Sequence, residues 1–153
     1  MAAIHSVQAV GDFSAAFSHP LLLGGTFQTL TGFKMEGDIL NTAQIMDNSK
    51  VVPLLNGNSI TITNNNKSGT MTFNACKLSG DISQGDITEI ATFLVGQGDS
   101  QGGTLRISFG LNGATYGITF FAVTVKTAPP LKIAGNDVPD YGIEFLYGTY
   151  ERS

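Results

Sequence analysis

Charge is what this chain has least of: Asp, Glu, Lys and Arg make up only 13% of its 153 residues, about half the usual share of a soluble domain. The balance is acidic, with 12 Asp and Glu against 8 Lys and Arg and a formal net charge of -4. Lys34, Lys50, Lys67, Lys77, Arg106, Lys126, Lys132 and Arg152 occur singly. The basic patch with which proteins grip phosphates is therefore missing, and tight nucleic-acid binding is not an expected role. None of these cations falls within the first 33 residues, so a secretory signal with a basic leading region is not expected. No apolar run approaches the roughly 20 residues of a membrane helix, and the expectation is a protein made in the cytoplasm with no membrane partner.

Chemically distinctive residues are equally sparse. Cys76 is the only cysteine, which rules out an internal disulfide framework and a cysteine-based zinc site and reads as a small buried hydrophobe. There is no Trp, and the two histidines, His5 and His19, sit near the N-terminus with no nucleophile motif around a Ser or Cys; catalysis is not expected. Gly96-x-Gly98, followed by Gly102 and Gly103, comes after a helical pattern and before a strand, opposite to the order that cradles a pyrophosphate, and reads as a connecting loop. Asp81, Asp86, Asp99, Asp137 and Asp140 fall in turns without the spacing of a calcium loop. Neither a metal nor a cofactor is expected. Asn66-Lys67-Ser68 matches a glycosylation sequon and reads as a chance match in an Asn-rich chain.

What is present is a β pattern. The length suits one domain over residues 1–153 that buries roughly two-thirds of its unfolded surface. Hydrophobic residues are 42%, Gly numbers 19, and Ser, Thr and Asn together number 37, giving a surface of uncharged polar groups that costs little to desolvate against a partner. From Gly32 to Leu40, Phe33, Met35 and Ile39 alternate with Lys34, Glu36 and Asp38, a strand with one acidic, wet face. Ile60 and Ile62, then Met71, Phe73 and Ala75, alternate with polar residues and suggest a hairpin around the turn at 64–69. Leu105 to Leu111 alternates up to Asn112-Gly113, a type I′ turn signal, and the return strand shifts phase near Phe120, as a bulge or a doubly buried strand would. A last strand runs from Tyr141 to Tyr150. Asp86 and Glu89 form a capping box for one helix carrying Ile87, Ile90, Ala91 and Leu94, ending at Gly96 or Gly98. Residues 41–55 fit neither period and carry Ile45, Met46, Val51, Val52, Leu54 and Leu55, more apolar surface than a plain loop needs.

With this order of elements the chain resembles the tail tube proteins of contractile-tailed bacteriophages. The likeness is carried by GFKMEGDI (32–39), NGNSITIT (56–63), SGTMTF (68–73), KTAPPLKIAGNDVP (126–139) and YGIEFLYGTY (141–150), and spans most of residues 26–151. The resemblance implies an antiparallel β-sandwich or barrel with one flanking α-helix and a long inter-strand loop. It implies a non-enzymatic structural subunit whose six-membered rings stack into a hollow tube that conducts the genome, assembled in the host cytoplasm and carried in the virion tail. Lys34, Glu36 and Asp38 would face the lumen, Ile45, Met46, Val51, Val52, Leu54 and Leu55 would contact the next ring, and Thr88, Glu89 and Thr92 would face the sheath. The implied partners are further copies of the chain, the tail sheath, and the tape-measure and baseplate hub or initiator proteins, with DNA as a transient, non-adhesive cargo. Two alternatives stand beside this reading: the tube protein of a contractile secretion or injection system, and a non-catalytic β-sandwich module that binds carbohydrate or decorates a virion.

Overall fold

The computed structural model describes residues 11–34, 39–45, 48–63, 66–76, 81–97, 101–111, 113–129, 135–136 and 141–152. Where apolar and polar residues alternate most cleanly, the strands lie deepest. β6 (Gly69–Ala75) and β9 (Tyr141–Tyr147) pair antiparallel, setting Met71 against Phe145, Phe73 against Ile143 and Ala75 against Tyr141. All six are buried, and burial of each large apolar side chain contributes about 1.5–3 kcal/mol. β1 (Gly11–Ser18), β7 (Gly103–Leu111) and β8 (Ala114–Val125) supply the opposing wall through Ala15, Phe17, Leu105, Ile107 and Phe120.

The chain is mainly β, and its strand pairs are antiparallel in the order β2 (Gln28–Thr29), β1, β7, β8, β9, β6, β3 (Leu40–Gln44), with β10 (Thr149–Arg152) also on β8. The order bends at β8. Ile118 to Phe120 pair with β7 on one side and β10 on the other, whereas Thr124 and Val125 pair with β9. Between them the register slips and Ala122 takes a left-handed φ of 55°. This bulge is the phase shift read near Phe120, and it leaves both Phe120 and Val123 buried. Gly102 closes against it: a Cβ there would lie 2.9 Å from the Ala122 Cα. Phe17 and Leu105 from one half and Phe73 and Phe145 from the other converge with Ile87 and Ile90 around a small apolar gap.

Helix α1 (Ile87–Gly96) starts where its cap predicts. Asp86 Oδ1 accepts the Thr88 N–H at 3.0 Å and the Glu89 N–H at 3.4 Å, and Ile87, Ile90, Ala91 and Leu94 are buried as their spacing requires. No helix among the described residues is long and apolar enough to cross a membrane.

Several expectations are corrected. Residues 41–55 are not a loop: Asn41 to Gln44 belong to β3, and β4 (Ser49–Pro53) follows. Ile60 and Ile62 lie in β5 (Ser59–Thr63), which pairs with β4, not with the strand at 70–75; β6 pairs with β3 and β9 instead. The cause is turn chemistry. Asn56-Gly57, with Gly57 at φ 84°, sits between β4 and β5 and supplies the positive φ that a tight hairpin connection needs, whereas the equally long connection between β5 and β6 carries no such Asn-Gly pair. In the expected strand from Gly32 to Leu40, Phe33 forms only an isolated bridge to Ala75 and regular pairing begins at Leu40; Met35, Glu36 and Asp38 lie outside the described residues. The last strand is two, β9 and β10, broken at Gly148.

Candidate assembly interface

β4 and β5 form a two-stranded arm that, among the described residues, pairs with no other strand. Its tip closes through the Leu54 N–H to the Asn58 carbonyl at 2.8 Å, the Gly57 N–H to the Leu54 carbonyl at 3.2 Å, and the Asn58 N–H to Asn56 Oδ1 at 3.1 Å. A hairpin of this size is marginal alone in water, so what its faces carry matters. The register pairs Lys50 with Ile62 and Val52 with Ile60, and on the opposite face Ser49 with Thr63, Val51 with Thr61 and Pro53 with Ser59. One face is therefore aliphatic, edged by a single cation; the other is hydroxylated around Val51.

The exposure of these residues is high. Ile60 and Ile62 are 47% and 43% exposed, Val51 64%, and Leu55 at the tip is fully exposed. Of the residues expected to contact a neighbour, Val51, Val52, Leu54 and Leu55 lie on the arm and Ile45 lies at its root, exposed; Met46 is outside the described residues. Ile60 and Ile62 were missed as contact residues, because their alternation placed them in a hairpin with the strand at 71–75. The signal that finds them is the Asn-Gly turn with aliphatic residues placed symmetrically about it.

Of the other expected site residues, Lys34, Thr88, Glu89 and Thr92 lie among the described residues. Lys34 is half-buried beside β6, its N–H bonded to the Asn74 carbonyl at 2.8 Å, while Glu36 and Asp38 lie outside the described residues. On α1, Thr92 is exposed and Glu89 half-buried, but Thr88, expected on the same outward edge, is 5% exposed. Thr31 bridges to Asp86 and its carbonyl takes the Ile87 N–H at 3.0 Å, so the start of the helix from Asp86 to Thr88 is enclosed and its outward edge emerges from Glu89 on. Among the described residues no group of three His, Cys, Asp or Glu could hold a metal ion.

Three exposed cations elsewhere have partners, one a carboxylate and two aromatic faces. Lys126 Nζ lies 3.3 Å from Glu144, Lys67 Nζ lies 5.6 Å from the centre of the Tyr150 ring, and the Arg106 guanidinium covers Phe27 at 3.9 Å. Register places the exposed Tyr116 opposite Phe109 on the face shared with Ile107, whereas Arg106 is on the other face, so the exposed aromatics make no single flat platform. The carboxyl of Asp81 is held below its usual range by the hydroxyl and backbone N–H of Ser83. The phenol of Tyr147 is pushed up by burial and then by Tyr150.

Protein-family models and curated protein sequences give no match to the chain. A solved structure does. The anti-feeding prophage cap, described as the tube-terminating cap, superposes with a TM-score of 0.56 over 100% of this chain and 94% of its own, at 9% sequence identity. At that identity the likeness concerns the fold alone.

Proposed function

We propose that this protein is a structural, non-enzymatic subunit of a contractile phage-type tail: a tail tube protein whose rings of six stack into a hollow conduit. The carrying observation is the arm, an aliphatic face of Val52, Ile60 and Ile62 held away from the core on a hairpin too small to be stable unaided. The fold shared with a tube-terminating cap supports placing such an arm in a stacked assembly. In this reading the arm bridges to the next ring, the free edges of β2, β3 and β10 adjoin neighbouring copies, and the outward edge of α1 at Glu89 and Thr92 faces the sheath. Lys34, Glu36 and Asp38 line the lumen, their acidic balance keeping a travelling phosphate backbone from adhering. The tape-measure and baseplate hub proteins would meet the tube at its ends, and the tube would sit in the virion tail after assembly in the host cytoplasm.

A second reading is favoured by the comparison itself, whose partner is a cap: the chain could end a tube instead of extending it. Electron microscopy of the concentrated protein separates the two, since a tube subunit makes stacked rings and a cap makes rings that stay single. Replacing Ile60 and Ile62 together by Ser is expected to leave a folded subunit or single ring and to abolish stacking. Full-length tubes from that variant would remove the arm from the interface. A tube from a secretion or injection system shares this behaviour and is told apart by its neighbouring genes.

A further inference from the structure

The β3–β6 ladder ends at the pair Gln44 and Gly69, with one more bond from the Ile45 N–H to the Ser68 carbonyl at 3.2 Å. The roots of the arm, Asn48 before β4 and Asn66 after β5, lie next along the chain. There a single side chain touches both: Gln44 Nε2 donates to Asn48 Oδ1 at 2.5 Å on the outgoing root and to the Asn66 carbonyl at 2.7 Å on the returning root. The returning root is itself shaped by Asn66, whose Oδ1 accepts the Ser68 N–H at 2.9 Å and the Ser68 hydroxyl at 2.7 Å. A backbone carbonyl only accepts, so the Gln44 group facing Asn66 must be its NH2, and the direction of the amide follows from chemistry.

We propose that Gln44 is a positioning residue that sets the angle at which the arm leaves the body. No β-ladder ties the arm to the body among the described residues, so its direction depends on its roots. Two acceptors on opposite roots are spanned by the two hydrogens of one amide, which fixes their separation. Each bond is exposed and worth only about 0.5–1.5 kcal/mol, too little to hold the fold and enough to choose among arm directions. The role demands a donor at position 44, not a particular shape.

That demand supplies the test. Nitroxides are placed at the arm tip by Leu55→Cys and on the body by Thr127→Cys, both exposed positions, in a Cys76→Ala background, and the spin-labelled protein is diluted with unlabelled protein. Pulsed electron resonance then reads the tip-to-body distance. Native Gln44 should give one narrow peak. Gln44→Glu, nearly isosteric but unable to donate, and Gln44→Met, neutral and unable to donate, should each shift and broaden it with no loss of thermal stability. Gln44→Lys, which donates to both acceptors, should restore the narrow peak. Native distributions in Glu and Met, or a Lys variant as broad as they are, would overturn the proposal. What the angle does for assembly rests on the tube reading above and is read separately by microscopy: a displaced arm with normal tubes would leave the clamp standing and remove the arm from the stacking contact, whereas altered tubes with an undisplaced arm would remove the clamp.

Discussion

At the scale of single residues, Tyr147 links burial to pH. Its ring packs on Phe120 at 4.9 Å between centroids and on Tyr150 at 6.2 Å, and burial followed by Tyr150 raises the pKa of its phenol. A group whose folded pKa lies above its unfolded one contributes stability that is fully present below the unfolded value, about 10 for a phenol, and that is lost as pH rises through the folded value. The protein should therefore hold a flat melting temperature through neutral pH and weaken as alkali ionises Tyr147. Tyr147→Phe is expected to melt near the native temperature at neutral pH and to lose less stability than the native protein in alkali. Identical alkaline slopes in the two would show that this phenol is not the group responsible. Residue-scale features were also the most legible in the sequence: the Asp86 cap is a local contact between neighbours in the chain, so its residue types sufficed to locate it.

At the scale of elements, the bulge in β8 sets where the sheet bends. Ala122 holds a left-handed conformation at φ 55°, which costs a residue with a Cβ about 1–2 kcal/mol, partly offset against the greater unfolded freedom of Gly. Ala122→Gly is expected to stabilise the protein by about 0.5–1 kcal/mol, seen as a higher denaturant midpoint at unchanged slope. A lower midpoint would mean that the Ala122 methyl makes contacts worth more than the strain. The alternations of β6 and β9 were visible because each strand buries one face fully and leaves the other, carrying Thr70, Thr72 and Asn74 in β6, only partly covered. Which strand pairs with which was not: β6 meets β9 some seventy positions later, and nothing in the residues of Gly69–Ala75 distinguishes that neighbour from β5. Thr88 was misplaced for a related reason, since helical spacing gives the faces of α1 but not the segment at Thr31 that encloses its start.

At the scale of the whole molecule, the sparse charge becomes a statement about how copies associate. From 48 to 63 Lys50 is the only charged residue, and the face it borders is aliphatic. Association through that face should resist salt, because there is little charge to screen, and should weaken on cooling, because apolar burial is entropic near room temperature. Sedimentation across a salt series and a temperature series checks both. Dissociation on adding salt would point instead to an interface built on ion pairs.

The position of the arm in the strand order decides where a pull on it is borne. Its two roots run into β3 and β6, which are neighbours, so tension at the tip draws both strands the same way and does not slide one along the other. The resistance passes to the next seam, between β6 and β9, where seven residue pairs from Gly69↔Tyr147 to Ala75↔Tyr141 lie along the direction of pull. Bonds arranged so stretch together and do not open one by one, and Met71 and Phe73 would have to be dragged through the core for the seam to slip. The arm is thus anchored mechanically in a deeply buried pair of strands, although among the described residues it forms no ladder with either of them.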